Sequence, residues 1–140
     1  MAIQTTKTTT RLRRLLRSTA AVLLGFIVIV SLSVGTDQAL HMLNVYPPLG
    51  LPLSDALLLV ALAYRIVYGV AGCYIAAWLA PDRPMQHALA LGVLGLFLST
   101  AGTVAMWGVG PAWYSLAVIA IAIPCAWAGG VLHRASHAGR

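Results

Sequence analysis

The chain has 140 residues, 60% of them hydrophobic and only 9% charged, with a formal net charge of +6. A soluble domain carries about 25% charged residues, so an ordinary soluble fold, which could not cover its surface with so few, is excluded. The positive balance does not mark nucleic-acid binding either, because five of the nine Lys and Arg (Lys7, Arg11, Arg13, Arg14 and Arg17) sit in one arm directly before a long apolar run.

That arm, residues 1–17, reads as cytoplasmic and basic, and its Thr-rich start, T-T-K-T-T-T, is expected to be a disordered tail. The first apolar segment follows at about 19–43. A secretory signal peptide is the competing reading, given the basic arm, the apolar stretch from Ala20 to Val34 and small residues at Ser33 and Gly35. The apolar pattern continues past Gly35 through Leu43, which favours a retained span.

Three more apolar segments follow at about 56–80, 85–107 and 111–132, ahead of a cytoplasmic tail at 135–140. Each has about 20 residues or more, enough to cross about 30 Å of hydrocarbon as a helix. The breakers between them, N-V-Y-P-P-L-G-L-P-L-S, A-P-D-R-P and W-G-V-G-P, end helices and turn the chain. Strands of a membrane barrel would be about half as long. The fold class is therefore all-α, an integral membrane four-helix transmembrane bundle over residues 18–134, with Asp82 as the expected N-cap of the third helix.

Eight of the nine Lys and Arg fall on one side of such a bundle and none on the other, Arg65 lying within a span. This positive-inside pattern places both termini in the cytoplasm. Tyr46, Trp107, Trp113 and Tyr114 then fit an outer aromatic belt, and Trp78 and Trp127 an inner one.

Lipid supplies little drive for helices to associate, so small residues must let backbones approach. Ala88, Gly92, Gly95, Ser99 and Gly102, spaced 4, 3, 4 and 3, hold one face along the third helix. Ala61, Gly69, Gly72 and Ala76 do the same on the second. Pro124 is expected to kink the fourth helix. Cys73 and Cys125 lack any metal-ligand spacing and read as small packing residues.

Arg65 shares the small-residue face of the second helix and therefore points into the bundle. At about nine residues below the outer helix end, roughly 13 Å, an arginine costs on the order of 3 kcal/mol and needs a partner. The first helix offers one in a polar stripe of Ser33, Asp37, His41 and Asn44. An Arg65–Asp37 pair is expected in an intramembrane polar pocket with Ser33, His41 and Ser99; Tyr64, Tyr68 and Thr103 are further candidates for its shell. The pocket either binds a small polar molecule or serves only to fix helix register.

His87 and His133, near the cytoplasmic boundary, could in principle ligate haem, but no second-shell carboxylate beyond Asp82 supports them, and neither a cofactor nor a metal is expected. Enzymatic chemistry finds no footing. Glu is absent, the three Asp lie in different segments, and there is no paired acid or nucleophile elbow.

From Gly69 onward, G-V-A-G-C-Y-I-A-A-W-L-A-P-D-R-P-M-Q-H-A-L-A-L-G, then A-M-W-G-V-G-P-A-W-Y and I-P-C-A-W-A-G-G-V-L-H-R, the chain resembles a group of small, uncharacterised bacterial inner-membrane proteins. The likeness covers about residues 55–134, most specifically A-P-x-R-P-M-x-H-A at Ala80–Ala88 and G-P-A-W-Y at Gly110–Tyr114. It implies a bacterial four-helix membrane protein and no particular chemistry; Cys73 stands where a glycine is expected. The leading expectation is a non-enzymatic structural or accessory subunit. It would sit in the lipid bilayer and pack as a homo-oligomer or with a larger membrane-protein partner. A small transporter or channel component using the Arg65/Asp37 pocket is second, and a haem-binding electron-transfer subunit third.

Overall fold

The computed structural model describes residues 2–48 and 50–138, with side chains from Thr9 onward. Among these residues there are four helices and no strand: α1 (Ala2–Met42), α2 (Asp55–Leu79), α3 (Pro84–Ala105) and α4 (Ala112–His137). All four are long and apolar enough to cross a membrane. Arg140, counted above with the basic residues, lies outside the described residues.

Local signals explain most of the boundaries. Ser54, with extended backbone, accepts the Leu57 amide hydrogen on its Oγ, and Asp55 follows it in the first turn of α2, where a negative charge suits the helix dipole. Pro84 opens α3, where a missing amide hydrogen costs nothing. Asn44, at φ 56°, ends α1 in the left-handed region, and the Val45 amide donates back to the Leu40 carbonyl, as in a glycine-type helix stop.

Three expectations need correction. α1 begins at Ala2, so the Thr-rich start is helical rather than disordered; once the apolar span is nucleated, extending the helix through Leu and Arg residues is cheap. Asp82 does not cap α3. Arg83, at φ 48°, is the capping residue and offers no side-chain bond, while Asp82 lies 3.3 Å from the Arg14 guanidinium. α4 runs through Pro124 to His137, past the expected end at residue 132.

Neighbouring helices are antiparallel, while α2 and α4 run parallel. Asp55 and Trp113 meet at one end of that pair, and Tyr74 and Ser136 at the other. The termini and the α2–α3 connection share one end, called basal here; the other two connections share the distal end. α2 touches all three other helices, whereas among the described residues the backbone of α1 approaches α3 only marginally and α4 not at all.

The basal half is closed by small residues. A Cβ on Gly25 would stand 2.6 Å from the Gly72 carbonyl oxygen, and one on Gly72 2.7 Å from that of Gly25, so α1 and α2 are in backbone contact there. Gly129 has the same relation to α2, with a Cβ falling 2.7 Å from the Val70 carbonyl oxygen. Gly92 faces Ala126 with no room for a methyl group. Around these crossings Cys73, Ala76, Ala77, Ala88, Leu91 and Ala126 form the buried core.

The small-residue stripe of α3 does not hold along its length. A Cβ on Gly95 would be 4.0 Å from Ala122, and one on Gly102 would meet nothing within 4 Å. Gly102 therefore packs against nothing among the described residues, and the tight approach of the stripe to α4 is at Gly92. Gly69, by contrast, does sit against Cys125, at 3.3 Å.

Candidate functional site

In the distal half the interior turns polar. Arg65, on the inward face of α2, places Nη2 2.8 Å from Asp37 Oδ2 on α1. Its Nη1 donates to the Tyr114 hydroxyl oxygen on α4 at 2.5 Å. One guanidinium thus joins three helices. Both charged side chains are about 70% shielded, with 27% and 29% of their surface exposed. The guanidinium carbon also lies 5.4 Å from the Tyr64 ring centroid and 6.0 Å from that of Tyr114, within cation–π range.

Asp37 takes a second bond, from the Tyr64 hydroxyl to Oδ1. Because that bond uses the only hydroxyl hydrogen of Tyr64, the contact of 3.2 Å between Tyr46 and Tyr64 must have Tyr46 as donor. The polar chain therefore runs Tyr46 to Tyr64 to Asp37, with Arg65 donating to Asp37 and to Tyr114. Thr36 and Tyr68 bridge α1 and α2 beside it at 2.9 Å.

Below this network a cleft of about 290 Å³ opens among all four helices. Arg65, Asp37, Ser33, Ser99, Gly69 and Gly95 are among the residues that line it. Among the described residues the backbones of α1 and α4 do not approach each other, and Gly95 of α3 leaves space before Ala122 of α4 that the tighter Gly92 does not.

The expected pocket residues divide accordingly. Arg65 and Asp37 are in direct contact, and Ser33 lines the cleft. Ser99 lines it too, but its hydroxyl donates to the Gly95 and Leu96 carbonyls of its own helix, as serines in apolar helices often do. His41 does not join the site. Its Nδ1 lies 2.8 Å from the Asp37 backbone oxygen, one turn back, and its ring packs edge-on against Tyr46. Asn44 is past the helix end and exposed.

Two residues assigned above to an outer aromatic belt belong to the network instead. Tyr46 is only 4% exposed. The left-handed Asn44 turns the chain back so that the Tyr46 amide donates to the Leu40 carbonyl and the ring enters the bundle. Tyr114 is held by Arg65. Their one sequence signal is a hydroxyl on an otherwise belt-type aromatic beside a span with an unneutralised arginine. Trp78, Trp107 and Trp127 are exposed, and Trp113 donates its Nε1 hydrogen to Asp55 Oδ1 at 3.1 Å.

At the basal end, His133 is buried, with its Nδ1 free of any hydrogen-bond partner among the described residues. Its ring stacks on His137 at 4.3 Å and meets Tyr74 edge-on. The Nδ1 of His87 lies 3.3 Å from the Arg83 carbonyl oxygen. Among the described residues no three His, Cys, Asp or Glu side chains are grouped to hold a metal ion. Both cysteines are free thiols in the core.

Comparison of the chain with family models, curated proteins and solved structures gives no match. The class is therefore defined by the chain's own features: an all-helical bundle whose four helices are each long and apolar enough to cross a membrane, with Arg65 ion-paired to Asp37 of α1 and donating to Tyr114 of α4.

Proposed function

We propose that this is a multi-pass protein of the bacterial inner membrane, both termini in the cytoplasm, acting as a non-enzymatic structural or accessory subunit. One observation carries the reading: the intramembrane arginine is engaged by Asp37 of α1 and Tyr114 of α4, so its charge serves the architecture. An ionisable group in a membrane span needs such partners, and this pair supplies register as well as neutrality. The one-sided distribution of Lys and Arg supports the orientation. Gly35 and Gly102, each with open space where a Cβ would stand, leave room for the helix of a second copy or a larger membrane protein.

The test is mild-detergent purification of the tagged full-length chain from its native membrane. A second copy or another membrane protein in fixed ratio is expected; a monomer recovered alone would remove the subunit reading. A C-terminal reporter that fluoresces only in the cytoplasm should be bright, and a dark fusion present in the membrane would reverse the orientation.

The cleft favours a second reading, a small transporter or channel component. It is lined by both members of the ion pair, Arg65 and Asp37, and by Ser33. Chloride or phosphate uptake into liposomes that Arg65→Lys abolishes without altering Tm would support this reading over the structural one.

A further inference from the structure

We infer that the basal groove between α1 and α3 holds a phospholipid with an anionic headgroup. The groove has a volume of about 410 Å³ and is lined by Ser18, Thr19, Val22 and Leu23 on one side and Gln86, His87 and Ala90 on the other. It exists because α1 is drawn against α2 at Gly25 and Gly72 and meets α3 only marginally.

The lining is graded along its length. Ser18, Thr19, Gln86 and His87 lie toward the basal end; Val22, Leu23 and Ala90 lie about a turn deeper. A lipid in the leaflet has the same order, with headgroup and ester oxygens at the boundary and methylenes toward the midplane. A soluble anion would leave the apolar half of the groove unfilled, and a free alkyl chain would leave the polar half unpaired.

Charge selects the headgroup. Arg11 lies two turns before Ser18 on the same face of α1, and Arg83 lies one turn before His87. Arg14 stands between them, paired with Asp82 at 3.3 Å. Three arginines and one acid thus lie basal to the lining residues along the two chains that flank the groove, and among the described residues neither Arg11 nor Arg83 pairs with a carboxylate. Basic pockets between helices at the cytoplasmic boundary attract anionic headgroups, each arginine adding to the attraction. The choline of a zwitterionic lipid would meet the same arginines with the wrong sign. The inference rests on the membrane reading above, because a bilayer supplies this ligand at this depth.

The test uses full-length protein extracted from membranes, stripped of lipid in detergent, and titrated with phosphatidylglycerol or phosphatidylcholine of identical acyl chains. Retained lipid is counted by native mass spectrometry. One phosphatidylglycerol should be held about tenfold more strongly than phosphatidylcholine. R11Q with R83Q, which spares the Arg14–Asp82 pair, should bring the two lipids level. Ala90→Trp, at an exposed position, should fill the groove and lose both. Equal retention by the wild type, or a preference that survives both variants, overturns the proposal. Recovery of the chain outside the membrane fraction would instead defeat the membrane reading, before any lipid is added.

Discussion

At the basal end, backbones touch. Gly25, Gly72, Gly92 and Gly129 leave no space for a methyl group, and the core is built of alanines, one leucine and a cysteine. Toward the distal end a cleft opens among the helices and side chains tie them: an arginine, an aspartate and three tyrosines spanning α1, the following connection, α2 and α4. In a bilayer both solutions are physically sound, because apolar contact between helices gains little over contact with lipid. Close packing uses dispersion summed over many short contacts, which tolerates no added volume. The clasp uses a few strong bonds, which tolerate loose packing but not the loss of a partner. The two halves should therefore fail in different ways.

The largest effect is expected where volume is added to the closed half. Gly129→Leu drives a side chain into the Val70 carbonyl and the Tyr74 amide, both backbone atoms that cannot step aside. A loss of about 3 kcal/mol or more is expected, read as a large fall in Tm or failure to accumulate in the membrane. A stable variant with unchanged Tm would show that α2 and α4 do not meet there.

Next comes the clasp. Arg65→Ala and Asp37→Ala each leave an unpaired charge, and each should cost about 2 kcal/mol, moderated by the partial exposure of both groups. The double variant should be no worse than either single one. Additive losses in this cycle, read from thermal melts in one detergent, would mean that the two side chains act independently. Tyr114→Phe removes only the acceptor of the second guanidinium bond, and about 1 kcal/mol is expected.

The smallest effect has the opposite sign. Gly102→Ala enters open space on a helix, and the gain in helix propensity should raise stability by about 0.5–1 kcal/mol in the purified monomer. If the same change breaks a complex isolated from native membrane, the open face of α3 is where the partner sits.

Much of this was legible in the residues. Four apolar segments, their Pro/Gly breakers and one isolated arginine define four helices and an inward-facing charge, because a bilayer leaves the backbone so few choices. Asp37 was legible as the partner, being the one acid within reach on the neighbouring span. The tyrosines were not, since a belt tyrosine and a clasp tyrosine are the same residue until the Asn44 turn and the start of α4 put their hydroxyls inside. Gly102 misled for a related reason: a small-residue stripe marks where helices can approach, not where they do.

By itself the sequence determined that there are four helices, each long and apolar enough to cross a membrane, and that Arg65 on one of them needs a partner, all of which follow from one-dimensional counts of hydropathy, length and charge. Only the tertiary structure decided that backbones touch at the basal glycines while a cleft opens among the four helices beside Arg65, that Tyr46 and Tyr114 complete the network, and that a graded groove separates α1 from α3. Those features depend on helix-to-helix distances, which α2 sets by touching every other helix while, among the described residues, the backbones of α1 and α4 do not approach each other. Such distances arise from contacts far apart along the chain, and no local pattern of residues encodes them.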